Sequence, residues 1–172
     1  PGEALPLEIY GSLVADVRAN GTPALVDLSP PRLESALEGG PTLVKINDWE
    51  LAAFVYGPVD TPERMRAAID RLIEQGAESA IVTRAGEPAL AVRDGRAWEL
   101  VPPRFERGAR EGCGDSMMGA LAAAVASGRD WEESLRIGAA AGAANFLRHG
   151  LGSGARAVVE DLLPKVQLRE LG

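Results

Sequence analysis

The sequence predicts an open α/β layer, a mostly parallel sheet covered by helices on both faces. Three observations point there. Short apolar runs with the look of buried strands, PALVDL (23–28), TLVKIN (42–47) and ESAIVTRAG (78–86), alternate with stretches of helical period. PALAVRDGRAWELV (88–101) reads as a β-hairpin, because Asp94-Gly95 joins two β-rich arms as two-residue turns do. The composition is that of a globular chain: 172 residues, 46% hydrophobic and 25% charged, enough for a single domain over 1–172 with a sizeable core.

Each element has its own justification. Residues 7–20 place Tyr10, Leu13, Val14 and Val17 at helical spacing, with Gly21 as the stop. PALVDL is the first strand, and PRLESALEGG (31–40) is a short helix ending in glycines. TLVKIN is the second strand, continued by DWELAAFVYG as a helix. Thr61-Pro62 supplies an N-cap and a proline at the first helical position. Met65, Ala68, Ile69, Leu72 and Ile73 then form an amphipathic stripe that stops at Gly76. ESAIVTRAG is the third strand, and the hairpin follows. From Ser116 the chain is helical again; Met117, Leu121 and Val125 recur every four residues among alanines, so that helix is expected to be buried. Asp130 and Glu133 resemble a capping box opening a helix from Trp131 to about Arg148. Its Leu135, Gly138, Ala139, Gly142 and Phe146 share a face whose small residues permit close packing. A final helix is expected over 156–171. There are no repeats and no low-complexity linker.

Several classes of function are disfavoured. A net charge of −7 argues against wholesale binding of nucleic acid or an anionic membrane. No apolar run approaches the ~18 residues of a membrane span, and no signal peptide is visible. One cysteine, Cys113, and one histidine leave no internal disulfide and no Cys/His cluster for a structural zinc. A cytoplasmic protein fits best. The opening PGEALP, without Met, reads as the tail of a loop and favours a truncated chain over a processed one.

In open α/β sheets ligands bind outside the carboxyl ends of the strands, which directs attention to Asn47, Thr83 and the turn at 111–116. That turn reads EGCGDSMMGA (111–120). Gly112 and Gly114 let the backbone approach a ligand closely, and the following helix directs unpaired N–H groups and its positive end at the turn. Together they suit a phosphate or a phosphoryl group in transit. A carboxylate at that rim, Asp115, cannot favour phosphate by charge; a general base for an attacking hydroxyl is the natural use. Asp is also a common helix N-cap, and on these four residues alone the cap stands ahead at roughly two to one.

The company the turn keeps changes that balance. Four stretches, in order, resemble the C-terminal portion of the PfkB (ribokinase-like) carbohydrate kinases, within that family most like the 1-phosphofructokinase and tagatose-6-phosphate kinase branch. GTPALVDLSPPRLESALEGGPTLVKINDWEL (21–51) resembles the strand, "D-x-S" and "L-V-K-x-N-x-x-E" regions. AIVTRAGEPALAV (80–92) resembles the strand, nucleotide-side turn and hairpin. GCGDSMMGALAAAVASG (112–128) resembles the signature G-A-G-D-x-F-x-A-G, and AAGAANFLRHGLGSG (140–154) the late helix beside the adenine pocket. The resemblance spans essentially the whole chain and implies a ribokinase-like sheet.

What it implies for the site is specific. Asp115 would be the catalytic base, and the N–H groups of Gly112, Cys113 and Gly114 the anion hole. Asn47 and Glu50 match N-x-x-E, which in this family organises Mg²⁺ through water. Lys45 could face a phosphate, a surface role standing equal beside it. Thr83 and the turn 84–87, Gly86 included, would border the ATP phosphates or ribose. Asn145 and Gly150 to Gly152 would lie by the adenine. The resemblance thus implies ATP and Mg²⁺ as cofactors, a small sugar phosphate as substrate, and a homodimer in the full-length parent. Read singly, Asn47 could cap the helix at Asp48, Glu50 could be a first-turn acid, Thr83 an ordinary strand residue, Asn145 a buried polar group bonded to backbone, and His149 a helix C-cap. Four positions in register favour the kinase site.

The sequence also departs from the family pattern. Ala109 and Arg110 stand where the family shows Asp or Asn and then Ser or Thr, and Cys113 replaces the usual alanine. Arg110 could supply a compensating positive charge for a phosphate. TRAGEP scrambles the usual glycine order, Pro88 replaces a glycine, and Ile46 stands where proline is common. The opening PG resembles the end of the family's S-G-S-L-P-P-G loop, which implies that the sugar-binding half and β-sheet lid are missing and that this chain alone is catalytically silent. The competing readings are a non-catalytic nucleotide-binding or assembly module, and a PfkB kinase for a nucleoside or unphosphorylated sugar.

Overall fold

The computed structural model describes residues 5–85, 87–148 and 154–171. These form an α/β fold of two compact units, Pro1–Ala85 with Leu90–Ala97, and Gly86–Ala89 with Trp98–Gly172. The hairpin strands β4 (Glu87–Arg93) and β5 (Arg96–Val101) contribute residues to both. Asp94 and Gly95, at φ 51 and φ 76, make the hairpin turn that the Asp-Gly pair predicts.

The first unit holds α1 (Glu8–Ala19), β1 (Leu25–Val26), α2 (Arg32–Glu38), β2 (Leu43–Asn47), α3 (Asp48–Val55), α4 (Pro62–Glu74) and β3 (Ser79–Arg84). β1, β2 and β3 are parallel, with Val26 opposite Val44 and Val44 opposite Ala80, and β4 follows β3 in the strand order. β2 and β3 are buried over most of their length, as strands covered on both faces must be. Leu33, Val44, Ile46, Leu51, Ile69, Leu72 and Val82 are completely buried among them. Each such side chain contributes about 1.5–3 kcal/mol relative to exposure. α4 begins as expected: Thr61 Oγ1 accepts from the Arg64 N–H at 3.3 Å, Pro62 opens the helix, and Met65, Ala68, Ile69 and Leu72 are buried. Just ahead of it, the Arg64 guanidinium bonded to Asp60 holds that carboxyl below its usual range.

Two expectations change here. On α1 only Gly11 and Val14 are buried, while Leu13 and Val17 are exposed. The cause is glycine packing: a Cβ on Gly11 would sit 2.6 Å from the Ser35 carbonyl oxygen, and one on Gly39 2.7 Å from the Val14 Cβ. That close approach, and not the apolar stripe, selects the buried face. The first strand is also shorter than PALVDL, with Leu25 and Val26 alone paired.

The second unit holds α5 (Cys113–Ala126), α6 (Trp131–Phe146), α7 (Arg156–Leu162), a 3₁₀ turn at Leu163–Lys165 and β6 (Gln167–Leu171), which neighbours β5. α5 packs on α6 through small residues. A Cβ on Gly138 would meet the Leu121 side chain at 2.7 Å, so glycine is required for the approach. α5 buries one stripe, Met117, Leu121 and Ala124, instead of being buried throughout, and it starts three residues earlier than Ser116. At α6, Asp130 accepts from the Glu133 N–H at 2.7 Å, but the Glu133 carboxylate bonds to Arg129 rather than closing the box. The expected final helix over 156–171 ends at Leu162. Pro164 has no N–H and its ring blocks the carbonyl a turn earlier; Val166 is extended and the chain leaves as β6. No helix among the described residues is long and apolar enough to cross a membrane.

Candidate active site

The singled-out residues sit at two helix starts, one in each unit. In the first unit β2 ends at Asn47, and the parallel register puts Thr83 of β3 opposite it. Thr83 Oγ1 donates to the Ile46 carbonyl at 3.5 Å. Asn47 is extended and caps α3: its Oδ1 accepts from the Glu50 N–H at 2.8 Å, and Glu50 Oε2 accepts from the Asn47 N–H at 3.2 Å. This reciprocal box satisfies two backbone donors with two side chains. The N-x-x-E spacing therefore builds a capping box, with Asn47 Nδ2 and Glu50 Oε1 still unengaged among the described residues. Trp49 between them is 69% exposed.

Lys45 is 7% exposed, so it is not a surface residue as one expectation allowed. Its ammonium group is engaged by Asp27 Oδ2. Lys45 lies one residue beyond the Val26↔Val44 pair, and Asp27 likewise, so the parallel register brings the two charges side by side. Nothing in the sequence reading assigned Asp27 this part. The available signal was one charged residue on each of two apolar strands.

In the second unit Gly112 is the N-cap of α5, with φ 75, and offers no side-chain cap. Asp115 is then the third residue of the helix, which overturns its reading as N-cap. It is exposed, and among the described residues nothing hydrogen-bonds or ion-pairs with its carboxylate. The Cys113 N–H donates to the Arg110 carbonyl at 3.2 Å. The Gly112 and Gly114 N–H groups have no such partner among the described residues, and neither has that of Asp115, so two of the three N–H groups expected in the anion hole stay open. Arg110 itself is exposed.

The turn is gripped from behind by the end of α6. Asn145, 1% exposed, donates from Nδ2 to the Glu111 carbonyl at 2.8 Å and to Cys113 Sγ at 3.6 Å. The Ala109 N–H donates to the Phe146 carbonyl at 2.9 Å. A Cβ on Gly108 would lie 2.2 Å from that same oxygen, and one on Gly142 3.2 Å from the Cys113 carbonyl. Gly108 stands in no motif of the sequence, and Glu111 is legible there only as the first residue of the 111–116 turn. Gly86, His149, Gly150 and Gly152 lie outside the described residues.

The family model for pfkB family carbohydrate kinases matches residues 4–157. The chain belongs to the pfkB family of carbohydrate kinases. Among its PfkB relatives, the ATP-dependent 6-phosphofructokinase isozyme 2 of Escherichia coli (strain K12) is 34% identical over 146 residues, 84% of this chain and 47% of that protein. The 1-phosphofructokinase of Bacillus subtilis (strain 168) is 28% identical over 168 residues, 98% of this chain and 55% of that one. The crystal structure of phosphofructokinase-2 from Escherichia coli in complex with potassium superimposes with a TM-score of 0.85 at 30% identity, covering 94% of this chain and 53% of that one. The chain thus spans about half the length of the PfkB relatives it matches. Arabidopsis thaliana ribokinase, at 22% identity and a TM-score of 0.76, shares the fold.

Proposed function

We propose that these residues carry the ATP-binding and catalytic portion of a sugar-phosphate kinase, which transfers the γ-phosphoryl group of ATP to a hydroxyl of fructose 1-phosphate to give fructose 1,6-bisphosphate. The observation that carries the reading is the exposed, unengaged Asp115 carboxylate in the first turn of a helix opened by Gly112. A carboxylate that, among the described residues, caps nothing and pairs with nothing at a glycine-lined helix start suits a general base. It takes the proton as the sugar oxygen bonds to the γ-phosphorus. The bond to the bridging oxygen breaks and ADP departs with the electron pair. The Gly112 and Gly114 N–H groups and the positive helix end stabilise negative charge on the transferred group.

The donors present also fit a hydrated magnesium ion. Such an ion keeps several waters and takes phosphate oxygens, so it needs few protein ligands; the capping box leaves Glu50 Oε1 to accept from that water shell, while Asn47 Nδ2, a donor, would serve a phosphate oxygen. When bound with ATP, magnesium supplies neutralisation of phosphate charge. Thr83 and Gly86 are proposed beside the nucleotide phosphates or ribose, Gly150 and Gly152 beside the adenine. Arg110, exposed, is the proposed cation for a phosphate, whereas the Lys45 ammonium is held by Asp27. We further propose that the 172 residues alone do not complete a turnover, since the matched relatives are about twice as long and positioning of the acceptor is most of phosphoryl-transfer catalysis.

A second acceptor, fructose 6-phosphate, is favoured by the 34% identity to the Escherichia coli 6-phosphofructokinase. The test is a coupled ADP-release assay of the full-length protein with each sugar phosphate. Asp115→Asn should lower kcat at least about 100-fold while ATP affinity stays within twofold. Unchanged turnover removes Asp115 as the base.

A further inference from the structure

Asn145 lies within α6, yet two of its side-chain bonds go to a turn 32 and 34 positions earlier in the chain. Buried amides are satisfied by partners, and the partners here are informative. Nδ2 donates to the Glu111 carbonyl at 2.8 Å and to Cys113 Sγ at 3.6 Å, the residues on either side of Gly112. Gly112 stands at φ 75, the left-handed conformation that opens α5. Next to Asn145, the Phe146 carbonyl accepts from Ala109 at 2.9 Å. Gly108 and Gly142 have no room for a Cβ of ordinary contact against Phe146 and Cys113. The end of α6 therefore holds the turn at five places, and the two side-chain bonds straddle the residue whose conformation aims the N–H groups.

We propose that Asn145 is a positioning residue: its amide clamps Glu111 and Cys113 so that the Gly112 and Gly114 N–H groups and the Asp115 carboxylate keep a fixed aim, and it does not contact the nucleotide. The consequence for catalysis rests on the phosphotransfer reading above; the clamp itself does not. Donors held in place by a supporting layer stabilise developing charge without reorganising. Loss of that fixed aim should cost about tenfold in ATP affinity.

The Cys113 backbone N–H, on the Arg110 carbonyl at 3.2 Å, makes the clamp observable. The variants are Asn145→Ala and the isosteric Asn145→Asp, which replaces the donor with a carboxylate. Both should speed hydrogen exchange of the Cys113 backbone N–H, which the closed turn holds on the Arg110 carbonyl. In the full-length protein both should weaken ATP about tenfold and lower kcat, with adenosine affinity unchanged. Equal weakening of ATP and adenosine makes Asn145 an adenine contact and overturns the proposal. An unchanged Cys113 exchange rate overturns the clamp; a faster rate with unchanged ATP affinity and kcat overturns the positioning role. If the unmutated full-length protein binds no ATP, the phosphotransfer reading fails while the exchange measurement still decides the clamp. Should both variants unfold, the unmutated chain decides it by NMR: slowly exchanging Asn145 side-chain amide protons with cross-peaks to the Cys113 β-protons support the clamp, and rapid exchange overturns it.

Discussion

The helices starting at Asp48 and Cys113 solve the same problem in opposite ways. Both leave backbone N–H groups without intrahelical partners. At the first, Asn47 and Glu50 fill those sites with their own side chains, and the preceding strand neutralises its buried Lys45 with Asp27. At the second, the cap is a glycine, the nearby carboxylate has no partner among the described residues, and the polar work is done from behind by Asn145 on α6. The first start is satisfied locally. The second is supported from a distant part of the chain and left open in front. Open donors cost stability unless something else satisfies them, so support from behind lets a turn stay open and still hold its shape.

The largest expected effect on stability breaks the first region. Asp27→Asn leaves the Lys45 ammonium, its side chain 8% exposed, without its charge partner, and should cost about 3 kcal/mol in urea unfolding. Lys45→Met leaves the Asp27 side chain, 27% exposed, able to hydrate, so its cost should stay below about 1 kcal/mol. Equal costs would contradict the asymmetry. In the second region Gly112→Ala puts a side chain at φ 75, which should cost about 1–2 kcal/mol and weaken ATP binding more than it lowers stability. Smallest are the capping changes. Asn47→Ala should cost about 1 kcal/mol, while Glu50→Gln, which can still accept in the box, should leave the melting temperature in place. If Glu50→Gln nonetheless raises the magnesium concentration needed for half-maximal rate, the residue does more than cap.

Much of the fold was legible because it follows local rules. Thr61-Pro62, Asp94-Gly95 and the 65–72 stripe each encode their element within a few residues, and each stands where expected. The expectations that failed depended on partners distant in sequence. Leu13 and Val17 match a helical stripe, but which side of α1 is buried was decided by Gly11 and Gly39 against α2. The last segment kept a helical look beyond Pro164, but joined β5 as a strand.

The candidate site divides along the same line. By itself the sequence determined which residue types stand at its positions: glycines at 112 and 114, Asp115 after them, and an N-x-x-E at 47–50. It also carried, through four stretches in register, the family that the comparison confirms. Tertiary structure alone decided what each side chain is committed to: Asn47 and Glu50 to each other, Lys45 to Asp27, Asn145 to the turn, and Asp115 to nothing among the described residues. The physical reason is range. Backbone conformation and capping act over a few residues, whereas a buried amide or ammonium group must find its partner wherever the fold brings one within hydrogen-bond distance.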